Sequence, residues 1–473
     1  MTSLSKRLPT RHFWVLAHRY AGLYLTFWLL VAGASGSLLA FYNELEAWLN
    51  PGIFTVAVQD KPLLDAFTLT EKAQMIEPGA KFDYIAFQDV KPDRTFIAYA
   101  EAKIDPATKK PYELGFESLV LNPYTGAEIR RTAARSYWPL GRENIMGFIY
   151  ALHYKLALPG EWGMWLFGIA AVIWTFDCFV GFYLTLPMRR KTKVSVVKGR
   201  VTKGSVGKSS GYFTRWKPAW LIRWQSSAYK INFDLHRAGG LWVWAMLFVF
   251  AWSSVQFNLR DQVYNPVMKT VFGMVDAEAG LPEFDPPLES VRLDVRAAHV
   301  LGRQYMAAQA AQHGFTVARE SSLHLQRDRG TYRYSVFSSR DVNQKNGSTA
   351  VIIDANTGAF KSLSLPSGQN GATTFTSWIT TLHMGKIWGL PMQIFVCAMG
   401  LLIVMLSITG LVIWLKKRKL RVLKQFAAKT RELTPYFPAS AGEFPLDSAP
   451  QIIAAAGGDI KTPFVTPSVP RNA

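Results

Sequence analysis

The chain has 473 residues, 49% of them apolar and 14% aromatic, with 53 lysines and arginines against 33 acids and a formal net charge of +20. A soluble chain of this length would spread its apolar residues over about three cores. Here they gather in four long runs, which excludes a soluble enzyme and a disordered chain, and the basic excess flanks those runs, which excludes a nucleic-acid binder in favour of a membrane protein.

In chain order, residues 1–19 carry Lys6, Arg7, Arg11 and Arg19 and no acid. The run Tyr20–Tyr42 has 23 residues without a charge or a histidine, enough for a helix to cross about 30 Å of hydrocarbon. Ala32-Gly33-Ala34 looks like a signal-cleavage site, but the run is longer than a signal core of roughly 7–15 residues, so a retained span is expected over 20–42. Segment 43–161 follows, with strands expected at Tyr84–Phe87, Thr95–Ala100 and Phe116–Leu121. It closes with a short amphipathic helix over 143–158 that carries His153 and ends in Pro159-Gly160. The second span is expected over 162–188, with Asp177 as its one charge.

The loop 189–230 carries twelve basic residues and no acid. Its part 191–211 is Lys, Gly, Ser and Val and is expected to build no core. A third span is expected over 236–257. Segment 258–389 reads as a helix over Asp294–His313, strands at Phe315–Val317, Tyr332–Phe337 and Ala350–Ile353, and a second short helix over 373–388 carrying His383. The fourth span is expected over 390–415. The tail 416–473 has ten basic and four acidic residues, and beyond Arg431 its Pro- and Ala-rich composition predicts disorder. Short Lys/Arg-rich segments stay in the cytoplasm. Both termini and the 189–230 loop are therefore expected inside, and 43–161 and 258–389 outside.

The chain also repeats itself. His18-Arg19-Tyr20-Ala21-Gly22-Leu23-Tyr24 answers His236-Arg237-Ala238-Gly239-Gly240-Leu241-Trp242, and Leu152-His153 answers Leu382-His383. Leu121-Asn122-Pro123-Tyr124-Thr125-Gly126 matches Ile353-Asp354-Ala355-Asn356-Thr357-Gly358, and Gly181 before Arg189 matches Gly410 before Lys416, at offsets between 218 and 232. Both halves enter from the same side. The expected fold is a membrane protein with four transmembrane helices in two parallel repeats, each half carrying an outside α+β domain. The Asn/Asp-x-x-Thr-Gly segments read as tight turns. Cys178 and Cys397 fall within spans and read as packing residues.

Four of the eight histidines occupy matched places: His18 with His236, and His153 with His383. The first two are expected in the first turn of helices entering from inside, the other two just before helices entering from outside. Each pair then faces across the bundle, one pair near each surface. Two opposed neutral imidazoles suit a flat macrocyclic iron cofactor, whereas zinc would want four converging ligands. Two pairs imply two haems, held without covalent attachment because no Cys-x-x-Cys-His is present. Asp177 lies near the middle of the second span, and its repeat counterpart is Leu406. A neutral, hydrogen-bonded carboxyl and a proton-linked role are both open to it.

The His-Arg-x-x-Gly-Leu openings, the Leu-His pairs and the Asn/Asp-x-x-Thr-Gly turns resemble the PepSY-associated transmembrane family over roughly residues 10–418. That family includes inner-membrane ferrisiderophore reductases with two b-type haems. The resemblance implies a bacterial inner-membrane protein with PepSY-like periplasmic domains, reducing a ferric siderophore or other Fe(III) chelate to release Fe(II). It assigns His153 and His383 to the periplasmic haem and His18 and His236 to the cytoplasmic one. The chain contains no fused flavin domain, so the implied electron donor is separate, a quinol or a cytoplasmic flavoprotein. Membrane lipid is the other expected partner, and nucleic acid is not one. The alternative is a non-catalytic PepSY membrane protein that binds or regulates a periplasmic partner. An iron-chelate permease is disfavoured, because four spans without a repeated intramembrane polar site leave little room for a pathway.

Overall fold

The computed structural model describes residues 10–133, 141–188, 194–197, 200–203, 211–273 and 280–433. Three of its helices are long and apolar enough to cross a membrane: Arg11–Leu39, Trp162–Thr185 and Leu390–Ala428. The pair Ala228–Trp242 and Trp244–Asn258 makes a fourth span if its 70° bend is counted within one crossing. Large apolar side chains on these helices point away from the protein; Phe27, Phe176 and Leu401 are 58%, 70% and 59% exposed. In water that surface would be an association hazard, whereas lipid covers it at no cost. The chain is a multi-pass membrane protein.

Small residues let the spans approach closely. A Cβ on Gly33 would stand 2.8 Å from the Gly400 carbonyl oxygen, and one on Gly400 would stand 2.6 Å from the Gly33 carbonyl oxygen, so the first and last spans touch through backbone. Ser37 Oγ adds a hydrogen bond to the Cys397 carbonyl at 3.0 Å.

The third apolar run differs from its expected single helix. It breaks at Val243, between Ala228–Trp242 and Trp244–Asn258. Gly239 and Gly240 sit within one turn of the break and present no side chain to the last span, where Met405 and Leu406 lie closest. Paired glycines weaken a helix at such a point, and sharp bends collect there.

The extramembrane segments build two main sheets. Phe96–Tyr99, Phe116–Leu121 and Glu128–Ala133 form a three-stranded antiparallel sheet. The larger sheet has five antiparallel strands in the order Phe360–Ser364, Thr349–Asp354, Thr331–Ser338, Val317–Gln326 and Tyr84–Ala86. Its last strand comes from the first segment and pairs with the second, placing Tyr84 opposite His324. Helices Ala66–Ile76 and Val295–His313 start at Asp65 and Asp294, whose carboxylates accept from the first free backbone amides. One core joins Phe67, Leu69, Phe96 and Leu119 of the first segment to Met306, Leu323, Tyr334 and Ile353 of the second. The two segments therefore form one body with a shared interior, where two self-contained domains were expected.

The strand expected at Phe315–Val317 instead begins at Val317 and runs to Gln326. The other strands expected in the second segment are present and longer, and the short helices run over Ile145–Lys155 and Gly371–His383. Within the basic loop, Val194–Val197 pairs antiparallel with Arg200–Lys203. The last helix continues to Leu433, past the expected end at 415. The Pro- and Ala-rich stretch from 434 onward lies outside the described residues, as do residues 1–9.

Candidate functional site

The first helix begins at Arg11 and the third-run helix at Ala228, so His18 and His236 stand two turns inside their helices, deeper than the first turn expected. Their ring centres are 6.1 Å apart and the planes make 50°. His153 and His383 come from the last turns of Ile145–Lys155 and Gly371–His383, with ring centres 6.2 Å apart and planes at 79°. All four histidines are thus gathered into the two pairs that the repeat pattern indicated.

The ends of the short helices explain how the second pair is set. Asn370 caps the His383 helix by accepting from the Thr373 amide at 2.7 Å. The His153 helix ends with Leu156 and Ala157 in left-handed backbone, φ 57° and 51°, which turns the chain sharply toward the second span. At that turn a Cβ on Gly163 would lie 1.8 Å from the Lys155 carbonyl oxygen. Only glycine fits there.

Each imidazole is anchored through Nδ1. His18 Nδ1 donates to Asp177 Oδ1 at 2.8 Å. His236 Nδ1 donates to the Leu406 carbonyl at 3.0 Å, with Thr409 Oγ1 at 3.1 Å. His153 Nδ1 donates to the Ala32 carbonyl at 3.1 Å, with Ser35 Oγ at 3.0 Å. His383 Nδ1 lies 2.6 Å from Ser253 Oγ, and that hydroxyl gives its own hydrogen to the Val249 carbonyl at 2.6 Å, so it accepts from the histidine. Carbonyl oxygens only accept, so in His236 and His153 the hydrogen resides on Nδ1 and Nε2 keeps the lone pair that binds metal. Donation from Nδ1 to Asp177 and to Ser253 gives His18 and His383 the same form.

Glycines make room beside three of the rings. A Cβ at Gly36 would stand 2.9 Å from His153 Cε1, one at Gly410 would stand 3.0 Å from His236 Cε1, and one at Gly181 would stand 3.4 Å from His18 Cε1. Phe250 and Phe257 meet the His383 ring edge-on, at 5.0 and 5.3 Å between centres.

The ring spacing at each pair is compatible with a metal held between the two imidazoles, as in a haem. Two imidazoles on opposite sides of one metal, each held by a bond of about 2 Å, have ring centres about 6 Å apart. The spacings of 6.1 and 6.2 Å meet that requirement. Among the described residues no three His, Cys, Asp or Glu side chains converge into a metal-binding group, so the donor set is two imidazoles and no more. A cavity of about 1240 Å³ adjoins the His153/His383 pair. It reaches between the spans past Gly33, Gly36, Phe167 and Trp174, and opens among strands of the extramembrane body.

Sequence reasoning missed the anchoring oxygens. The signal was nonetheless present: the 218-residue offset that aligns His18 with His236 also aligns Ser35 with Ser253. Asp177 stands 2.8 Å from His18 Nδ1, a contact common to both roles open to it, and Leu406 at its matched place supplies a backbone carbonyl to the other ring of the pair.

Compared with curated proteins, the chain finds no match. The PepSY-associated TM region matches residues 15–417, and the chain belongs to that family.

Proposed function

We propose that the protein carries electrons across the bacterial inner membrane through two b-type haems, one on each histidine pair, and reduces a ferric siderophore or similar Fe(III) chelate in the periplasm. The observation that carries this reading is the twofold occurrence of one arrangement: facing imidazoles about 6 Å between centres, each tied at Nδ1. Reversible one-electron carriage is the chemistry that a haem supplies at each pair when bound.

The protein's own groups do the rest. His18 and His236 would hold the inner cofactor, and His153 and His383 the outer one. Asp177, Leu406, Ala32, Ser35 and Ser253 fix ring orientation, which spares the site reorganisation as charge changes. Phe250 and Phe257 pack edge-on against the His383 ring and help to hold it in place. The two pairs are linked by the first span, in which His18 and Ser35 are 17 residues apart, or about 25 Å along a helix. That distance suits a relay from one membrane face to the other.

Orientation follows from charge. The basic segments flanking the spans favour cytoplasmic termini and a cytoplasmic 189–230 loop. The two halves then form parallel repeats, with the shared sheet body in the periplasm above the outer pair. The electron donor is a quinol or a cytoplasmic flavoprotein. One electron converts the chelated Fe(III) to Fe(II), which hard oxygen donors hold far less tightly, so the metal leaves without a bond of the chelator being broken.

The test is an absorption spectrum of the purified chain with haem quantified per protein. Two b-type haems are expected, falling to one in His383→Ala and in His236→Ala. Colourless protein from haem-replete cells, still colourless after haem titration, would contradict the reading and favour a non-catalytic binding protein.

A further inference from the structure

We propose that the outer chamber of the 1240 Å³ cavity is a binding site for an anionic metal chelate, so that the substrate class is a negatively charged ferric complex and not a neutral or cationic one. The substrate part of this inference rests on the reductase reading above; the site itself does not.

The wall of the cavity carries Lys91, Arg94, Arg319, Lys345 and Lys386, and Asp89 is the only acid among its described lining residues. This bias does not come from composition, since segments 43–161 and 258–389 have near-equal numbers of basic and acidic residues. Elsewhere in the same body arginines are matched with acids: Arg131 with Glu77, Arg296 with Glu71, Arg327 with Asp83. Among the described residues none of the five wall cations has an acid within salt-bridge distance; Asp89 acts electrostatically on Lys91 and Arg94, and the Arg319 guanidinium lies over the Phe337 ring at 3.8 Å, which leaves Lys345 and Lys386 with no acid beside them. Like charges gathered around one concavity focus a positive potential there, which favours an anionic ligand over a neutral one.

Two of them are held side by side by the backbone. The Gln344 amide donates to the Lys386 carbonyl at 2.9 Å, and Gln344 Oε1 accepts from the Trp388 amide at 2.9 Å. Lys345 is thereby fixed beside Lys386, three residues past His383. Burial and the neighbouring Lys345 push the Lys386 ammonium below its usual range, as expected for two cations without a counter-ion. The connecting loop holds Trp388 at φ 58°, a left-handed conformation unfavourable for a bulky residue. Such strain persists where surrounding structure imposes it, and commonly at ligand sites. Tyr84 and Tyr99 add aromatic faces to the same wall.

Carboxylates of the outer haem are a second possible source of the same negative charge, so the test separates the two. The full chain in nanodiscs of zwitterionic lipid would be titrated with anionic gallium(III) tris-catecholate and with a neutral gallium(III) tris-hydroxamate. Gallium is redox-inert here, so binding is read without electron transfer. The anionic complex is expected to bind about tenfold more tightly at low salt, and the preference to shrink as salt is added. The double variant Lys345→Gln/Lys386→Gln is expected to bind it about tenfold more weakly, with haem per chain unchanged. Arg94→Gln, at an exposed turn, is expected to weaken it in the same direction. Equal affinity for both complexes would overturn the proposal. So would a double variant that loses haem while keeping its affinity for the tris-catecholate. A colourless chain that shows the charge preference supports the site and removes the reductase reading, whereas a red chain blind to charge does the reverse.

Discussion

At Ser253 the hydroxyl hydrogen goes to the Val249 carbonyl, 2.6 Å away, which leaves the oxygen as acceptor for His383 Nδ1, with no backbone carbonyl beside it among the described residues. The matched Ser35 has the same habit toward Val31, yet His153 also has the Ala32 carbonyl at 3.1 Å. The two serines should therefore differ in consequence. Ser253→Ala is expected to weaken haem retention at the outer pair by about ten- to a hundredfold, and Ser35→Ala by much less. Haem titration of the stripped variants checks this, and equal losses would contradict the assigned anchoring. Histidines were legible at this scale because each one recurs at a repeat offset, and a recurring ionisable residue in a span is costly unless used. The serines were less legible, since a hydroxyl within a helix ordinarily bonds its own backbone four residues back, as both of these also do.

Among the elements, the turn from the His153 helix into the second span is the tightest joint. A side chain at Gly163 would collide with the Lys155 carbonyl, a backbone atom that has no rotamer to escape into. Gly163→Ala is expected to push the His153 helix off the span, costing roughly 1–3 kcal/mol of stability and depleting the outer haem selectively. Gly22→Ala, where nothing lies within 4 Å, should leave both unchanged. Thermal melting with haem quantification measures the contrast, and equal behaviour of the two variants would count against the joint. The apolar runs were legible because lipid demands length and hydrophobicity. The bend at Val243 was not, because paired glycines occur in straight spans as well. Strand Val317–Gln326 was under-read because Glu320, Ser321, Ser322, His324 and Gln326 dilute its apolar pattern, although Ser321 and Ser322 are buried within the sheet body.

For the whole molecule, the pairing of Tyr84–Ala86 with Val317–Gln326 ties the two halves together outside the spans. No local pattern in the sequence announces a contact between strands more than 230 residues apart, which is why two domains were expected and one shared body is found. That union has a functional consequence under the proposed reading. It places a roofed cavity over the outer histidine pair, while the opposite face offers basic, span-flanking segments suited to headgroups or an acidic donor protein. The central claim is therefore directional, and proteoliposomes with a known orientation test it most directly. Reductant would be confined to the side of the 189–230 loop, and an Fe(III) chelate with an Fe(II)-trapping dye to the other side. The account expects the dye to report Fe(II) across the intact membrane, and to fall silent in His153→Ala and His18→Ala. Fe(II) formed only when chelate and reductant share the compartment of the 189–230 loop would contradict it.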